Sequence, residues 1–373
     1  MTGAEQYIDG FGEEPGYLDY GRIGPLSASV VAENRAQTDV LSRARFGSLD
    51  NLFRQNVRLE NAVAAVTGFR ADQIVAQPNA SSGLMHAMFG LTGGILLSPG
   101  DFPSVPFAAM RAAESLHVLT PTWLETDHGR VTPGEIKEQL SSSIAAVAVC
   151  LVDSRTGYLA DLEGIRQVIG DRLLIVDAIQ GFGVVDAPYE LADVVVSGGQ
   201  KWVRSGWGSG FLALSDAAAE RLTPVFSGYN ASTVDDPWDE VPPPAHGVKA
   251  FQITNGDAIA QARFSTALEE IEQVGVDVIA GMIADIVTEV IDLADEFAIP
   301  VGSSRDVRER AGIVVLEPAA EQLTLLVASL HNHGITATAR LGTVRLSIHA
   351  GTSRETIDML RSAFMSFASA AIY

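Results

Sequence analysis

DVVVSGGQKWVRSG, residues 193–206, is an apolar run that breaks off in Ser-Gly-Gly-Gln and then meets a lysine, Lys201, with Trp202 directly behind it. The run reads as a buried strand. The chain holds three lysines, Lys137, Lys201 and Lys249. An ammonium group at the end of a buried strand is costly unless it is paired or has chemistry to perform. The rest of the sequence is therefore read for what could surround Lys201.

Upstream and downstream, short apolar runs alternate with amphipathic stretches. GGILLSP, HVLTPTW, IAAVAVCLVD, RLLIVDA, ADVVVSG and GFLALS read as strands bounded by Gly, Pro or Asp. Between them lie helical segments such as VTPGEIKEQLSSS, with Thr132 as N-cap and Pro133 at the first helical position. Apolar strands alternating with helices predict an α/β fold, a mainly parallel sheet covered by helices on both faces. The pattern breaks at 227–248, a stretch with four prolines and no apolar period, which reads as a long functional or interfacial loop. Two long helices are predicted at 257–274, with Ile259, Ala262, Phe264, Ala267, Leu268 and Ile271 as its apolar stripe, and at about 278–297. The strand-helix-strand-helix order after them predicts a small α+β C-terminal domain. The expected division is a large domain over 17–250 and a small one over 251–373, with 1–16 as an N-terminal arm near the small domain.

Composition narrows the function. The 373 residues carry a net charge of −21, which argues against nucleic acid and against an anionic membrane surface. The longest apolar run, 144–152, is too short to span a bilayer. One cysteine, Cys150, excludes an internal disulfide and a Cys-only metal site. No metal is expected, and His331 and His333 read as a solvated helix end. With no basic or apolar leader at the N-terminus, a cytoplasmic location is expected. The glycines of GWGSGF (206–211) precede a strand-like run rather than a helix, so a dinucleotide site is rejected.

Three pieces converge on one rim of the predicted sheet. LLIVDAIQG ends a strand at Asp177, with Gln180 three residues on; DVVVSGGQK ends near Lys201; AQPNASSGLMHAMFGL opens a helix with Ala80, Ser81 and Ser82 at its N-terminus. Ligands of open parallel sheets sit beyond the carboxyl ends of the strands, and a helix N-terminus suits phosphate. A lysine, a carboxylate and a phosphate cradle are the needs of pyridoxal 5′-phosphate.

The chain resembles the class V aminotransferase family of pyridoxal-phosphate enzymes, fold type I, from YLDYGRIGP (17–25) to VRLSIHAGTSRETIDML; Asp-x-x-Gln and Gly-Gln-Lys-Trp, 24 positions apart from Asp177 to Lys201, carry the likeness. The resemblance implies that Lys201 forms the Schiff base and moves protons at Cα, that Asp177 faces the pyridine nitrogen, and that Gln180 bonds the ring hydroxyl. It places Ala80, Ser81, Ser82 and Gln200 at the phosphate, Phe102 in GDFPSVPF against the ring, and Ser154 near the ring hydroxyl. Arg345 would grip the substrate carboxylate, with Tyr229 and Arg22 as further substrate contacts. Thr254 or Asn255 would reach the phosphate of a partner subunit, so a homodimer with a shared site is implied. The family spans transaminases, cysteine desulfurases, β-lyases such as kynureninase, and epimerases. GITATARLGTVRLS, before the arginine, has no cysteine, so the expectation is an enzyme that is not a cysteine-dependent desulfurase. Transamination of a small amino acid to a keto acid is favoured over a C–S or C–C β-lyase or an epimerase. A non-catalytic binding module on the same fold is the rival outside enzymology.

Overall fold

The structure is a computed structural model that describes residues 3–234 and 238–371; positions 235–237 of the proline-rich stretch lie outside the described residues. Among the described residues the strands are β1 Ile74–Gln77, β2 Gly93–Leu97, β3 Leu119–Trp123, β4 Ile144–Cys150, β5 Leu173–Asp177, β6 Val194–Gly198, β7 Gly210–Leu214, β8 Ile313–Leu316, β9 Thr338–Arg340 and β10 Thr343–Ser347. Helices α1 Gly3–Asp9, α2 Ala28–Arg43, α3 Asp50–Phe53 and α4 Gln55–Thr67 precede β1. Helices α5 Ala80–Gly90, α6 Ser104–Leu116, α7 Pro133–Gln139, α8 Leu162–Ile169 and α9 Asp216–Arg221 are threaded among β1 to β7 and after it. Helices α10 Ala258–Val274, α11 Val276–Glu296, α12 Leu323–Asn332 and α13 Arg354–Ala371 complete the chain.

The predicted α/β architecture is present. Seven strands form one sheet in the order β1-β7-β6-β5-β4-β2-β3. Strands β2 to β6 are parallel where they pair, and β7 runs antiparallel to both of its neighbours. Strand side chains alternate between faces. Leu97, Ala148, Ile175 and Val196 therefore pack beneath α5 and α6. Leu96, Val147, Val149, Val176 and Val195 pack on the other side, with Ile165 of α8 and Phe264 and Leu268 of α10. The same alternation puts Cys150 and Asp177, opposite each other in register, on the α5/α6 face.

Local signals in the sequence set several boundaries. Thr132 accepts from the Glu135 amide while the Glu135 side chain accepts from the Thr132 amide, a reciprocal cap that starts α7 at Pro133. Asp257 caps α10, whose predicted stripe is buried except for the half-buried Ile259. Helices α2 and α6 lack a readable apolar stripe: α2 buries one residue, Val30, and α6 buries mainly alanines, Ala108, Ala109 and Ala112. A second sheet, β8-β10-β9, is antiparallel, with Arg345 on its central strand. Among the described residues no helix is long and apolar enough to cross a membrane.

The N-terminal segment runs between the two sheets. Tyr17 bridges to Thr336 and Asp19 to Ser347 beside the small sheet, and the Gly24 amide donates to the Gln200 carbonyl beside Lys201 (2.8 Å). Arg204, with 2% of its side chain exposed, anchors this strap. It bonds Glu13 through two contacts (2.8 and 2.5 Å), donates to the Pro25 carbonyl, and lies 3.6 Å from the Phe11 ring centroid. Removing one partner of a buried pair strands the other charge. Glu13→Ala is expected to lower stability by about 3–5 kcal/mol in urea unfolding; a loss below ~1 kcal/mol would mean that the pair does not hold the strap.

Candidate active site

The carboxyl ends of β2, β4, β5 and β6 lie side by side, and the turns that follow them build one site. Lys201 sits in the turn after β6 and is 8% exposed. Its Nζ lies 5.0 Å from the centroid of the Phe102 ring, which enters from the turn after β2. Asp177 ends β5 and is 2% exposed. One of its oxygens accepts from the Ile179 amide (3.1 Å). Burial pushes the Asp177 carboxyl up, and its Ile179 hydrogen bond and the Lys201 charge oppose that rise. Burial pushes the Lys201 ammonium down to about 8; the Asp177 carboxylate resists and Arg345 adds a little to the fall.

Gln180 is held from two sides. Its Oε1 accepts from the Trp202 indole (2.8 Å), and its Nε2 donates to the Gly21 carbonyl (3.0 Å). One amide hydrogen remains for a ligand. At the start of α5, the Asn79 side chain takes the Ser82 amide (3.0 Å) and lies 3.3 Å from the Ser82 hydroxyl. The Ser81 hydroxyl pairs with that of Ser104 (2.9 Å). The amides of Ala80 and Ser81 are first-turn donors without intrahelical partners. A Cβ placed on Gly198 would come 2.8 Å from Gln200 Oε1 and 3.6 Å from the Ala80 nitrogen. Gly198 thus keeps open the space that Gln200 and the α5 N-terminus share.

Arg345 projects from β10 with 15% of its side chain exposed. Its guanidinium donates to the Ser154 carbonyl (3.2 Å) and lies 3.5 Å from the buried Asp19 carboxylate, which also accepts from the Thr338 hydroxyl (2.7 Å). The Ser154 contact is through its backbone. Four predicted site residues are not drawn into this group. Arg22 is 77% exposed and 3.9 Å from Asp19. Tyr229 is 61% exposed. Thr254 bonds Asn230 (3.2 Å), and Asn255 lines a separate cavity of about 400 Å³ with Leu41, Phe53, Asn56 and Glu60. Asp19 and Asp101 went unread in the sequence; each is a single acidic residue beside a glycine or an aromatic, with no spacing to mark it.

Residues 61–238 match the family model described as aminotransferase class-V. This stretch is a class V aminotransferase domain. Proteins of that family use pyridoxal 5′-phosphate, the cofactor the residues called for, and the class V domain here contains Lys201, Asp177, Gln180 and the Gly198 cradle. No curated protein sequence matches the chain. Among solved structures, the chain is similar to a cysteine desulfurase from Thermococcus onnurineus NA1 (19% identity, TM-score 0.81, 93% of each chain covered). It is also similar to the cystine C–S lyase C-DES in complex with cysteine persulfide (17%, 0.84, 94% of this chain and 97% of that one), and to the cysteine desulfurase CsdA from Escherichia coli (14%, 0.81, 99% of each).

These likenesses correct one expectation. The sequence reading set aside a cysteine-dependent desulfurase because the loop before Arg345 has no cysteine. Two of these similar structures are cysteine desulfurases that share the fold over nearly the whole chain. One loop's composition does not separate the protein from them. Cys150 is buried at the end of β4, and burial pushes its thiol well up.

The depressed Lys201 gives a direct test. Capture of pyridoxal phosphate by the apo protein should accelerate with pH and level off above about 8, well below the ordinary lysine value of ~10.4. A rate still climbing steeply at pH 10 would show that burial does not tune this amine.

Proposed function

We propose that the protein is a pyridoxal-phosphate enzyme that transaminates a small α-amino acid to a keto acid, with Lys201 as its catalytic residue. The observation that carries this reading is the buried Lys201–Asp177 pair at the carboxyl rim of the class V domain, facing Phe102. When bound, the cofactor supplies an aldehyde that condenses with amines and a ring that accepts the electron pair from Cα.

Each protein group then has a role that its surroundings support. Lys201, with its ammonium destabilised by burial, would hold the cofactor as a neutral amine at moderate pH and move the proton at Cα. Asp177 would hold the proton on the ring nitrogen. Gln180 would offer its free amide hydrogen to the ring hydroxyl, and Phe102 would pack against the ring. The amides of Ala80 and Ser81, aided by the α5 dipole and the Gln200 side chain, receive the phosphate. Ser82 supports that turn through Asn79. Arg345 binds the substrate carboxylate in a bidentate contact, oriented by Asp19. Arg22 and Tyr229, both exposed, would be the further substrate contacts in this reading.

A homodimer completes the arrangement in this reading. Phe53 and Leu41 are exposed large apolar side chains on the cavity that holds Asn255, and Phe46, between them in the sequence, is fully exposed. Such surface calls for a partner, and a second copy would bring Thr254 or Asn255 to a neighbouring phosphate. The lone buried Cys150 supports a reducing, cytoplasmic setting.

The likeness to a cystine C–S lyase favours a second reading, β-elimination from a sulfur amino acid. A panel of amino acids added to the cofactor-loaded protein separates the two. A keto acid formed with loss of the visible band supports transamination. Release of pyruvate and ammonia supports elimination, and alanine from cysteine would indicate desulfuration. In each case Arg345→Ala should weaken amino-acid binding by roughly 1.5–3 kcal/mol. Unchanged affinity would place the carboxylate contact elsewhere.

A further inference from the structure

Asp101 has no role in the reading above, yet it is 6% exposed and its Oδ2 has no hydrogen-bond partner. It stands in the turn after β2. In the sheet, β2 neighbours β4, and β4 neighbours β5. Asp101, Cys150 and Asp177 therefore come from consecutive strand ends, with Cys150 and Asp177 directly paired in register. The Cys150 thiol and the Asp101 carboxyl, both buried, act on each other at this end of the sheet. Phe102, the next residue, carries the ring that faces Lys201.

The groups acting on Asp101 are Asp153, Asp177, Cys150 and Arg155. The three carboxyls differ sharply in what offsets their charge. Asp177 has the Ile179 amide and the Lys201 ammonium. Asp153 accepts from the amides of Arg155 and Thr156 and from the Thr156 hydroxyl, all within 3.0 Å, and has the Arg155 guanidinium at 3.8 Å. Asp101 Oδ2 has no hydrogen-bond partner, and Cys150 and Arg155 are the groups that act to lower its carboxyl. Anions that share a buried site repel, and the one without donors takes the proton. Burial first, then Asp153 and Asp177, push the Asp101 carboxyl up to about 8.

We propose that Asp101 is a positioning residue: a protonated, neutral carboxyl that keeps Asp177 as the sole anion facing the pyridine nitrogen. The assignment rests on the pyridoxal-phosphate reading of the site. It makes Asp101 a charge gate. While Asp101 holds its proton, Asp177 keeps its charge for the ring nitrogen. When Asp101 ionises, the added anion drives Asp177 to take up a proton and weakens that pairing.

Asp101→Asn, the neutral isostere, tests this. The infrared spectrum of the wild-type apo protein at pH 7 should contain a protonated-carboxyl band that Asp101→Asn removes. Pyridoxal phosphate should bind Asp101→Asn within about threefold of wild type at pH 7, a difference under 1 kcal/mol. The ratio of wild-type to variant dissociation constants should then rise about tenfold across one to two pH units above about 8. Lys201 titrates in both proteins, so the ratio isolates Asp101. A variant that binds more than tenfold more weakly at pH 7, a ratio flat with pH, or an unaltered infrared band would overturn the proposal. Failure of the wild type to take up the cofactor would instead overturn the reading on which it rests.

Discussion

A lysine buried at the carboxyl rim of a parallel sheet is the constraint to which the rest of this structure answers. The position of Lys201 follows from β6, an apolar strand closed off by Gly198 and Gly199. Its charge is offset by Asp177, the last residue of the neighbouring strand, whose side chain reaches the same face because strand residues alternate. Neither group could sit there alone without a large desolvation cost. The glycines are needed for a second reason: a side chain at Gly198 would fill the space between Gln200 and the α5 N-terminus, and one at Gly199 would collide with Ser205.

The small sheet reaches this rim through the N-terminal strap. Asp19 holds Arg345 from that strap, Gly21 receives Gln180, and Gly24 binds the carbonyl of Gln200, the residue before the lysine. Arg204 and Glu13 fix the strap against the lysine turn. His349 stacks with Tyr20 and Trp202, so the chain just after β10 is packed against the indole behind Lys201. The groups proposed to hold cofactor and substrate are thus parts of one packed unit rather than three independent loops. Preorganisation of this kind is what lets charged side chains act at a fixed distance.

The sheet and most of its helices were legible because their signals are local. Apolar runs marked β2 to β7, and Asp257 and Thr132 marked helix starts. Lys201, Asp177 and Gln180 were legible as a pattern of residue types at strand ends. The surroundings that tune them were not. Asp19 meets Arg345 across 326 positions, and Glu13 meets Arg204 across 191. No window of sequence holds both partners. Gln180 was read as a ring-hydroxyl ligand, while its first two hydrogen bonds go to Trp202 and Gly21, contacts that only the folded chain creates. The desulfurase expectation failed for a related reason: it weighed one short loop against an architecture shared across the whole chain.

The most direct test of the central assignment uses the scarcity of lysine. With only Lys137, Lys201 and Lys249 available, the protein loaded with pyridoxal phosphate can be reduced with borohydride, digested and mapped by mass spectrometry. The account predicts a phosphopyridoxyl group on the peptide containing Lys201 at one per chain, with the other two lysines unmodified. Modification at Lys137 or Lys249 in preference to Lys201, or no modification, would contradict it.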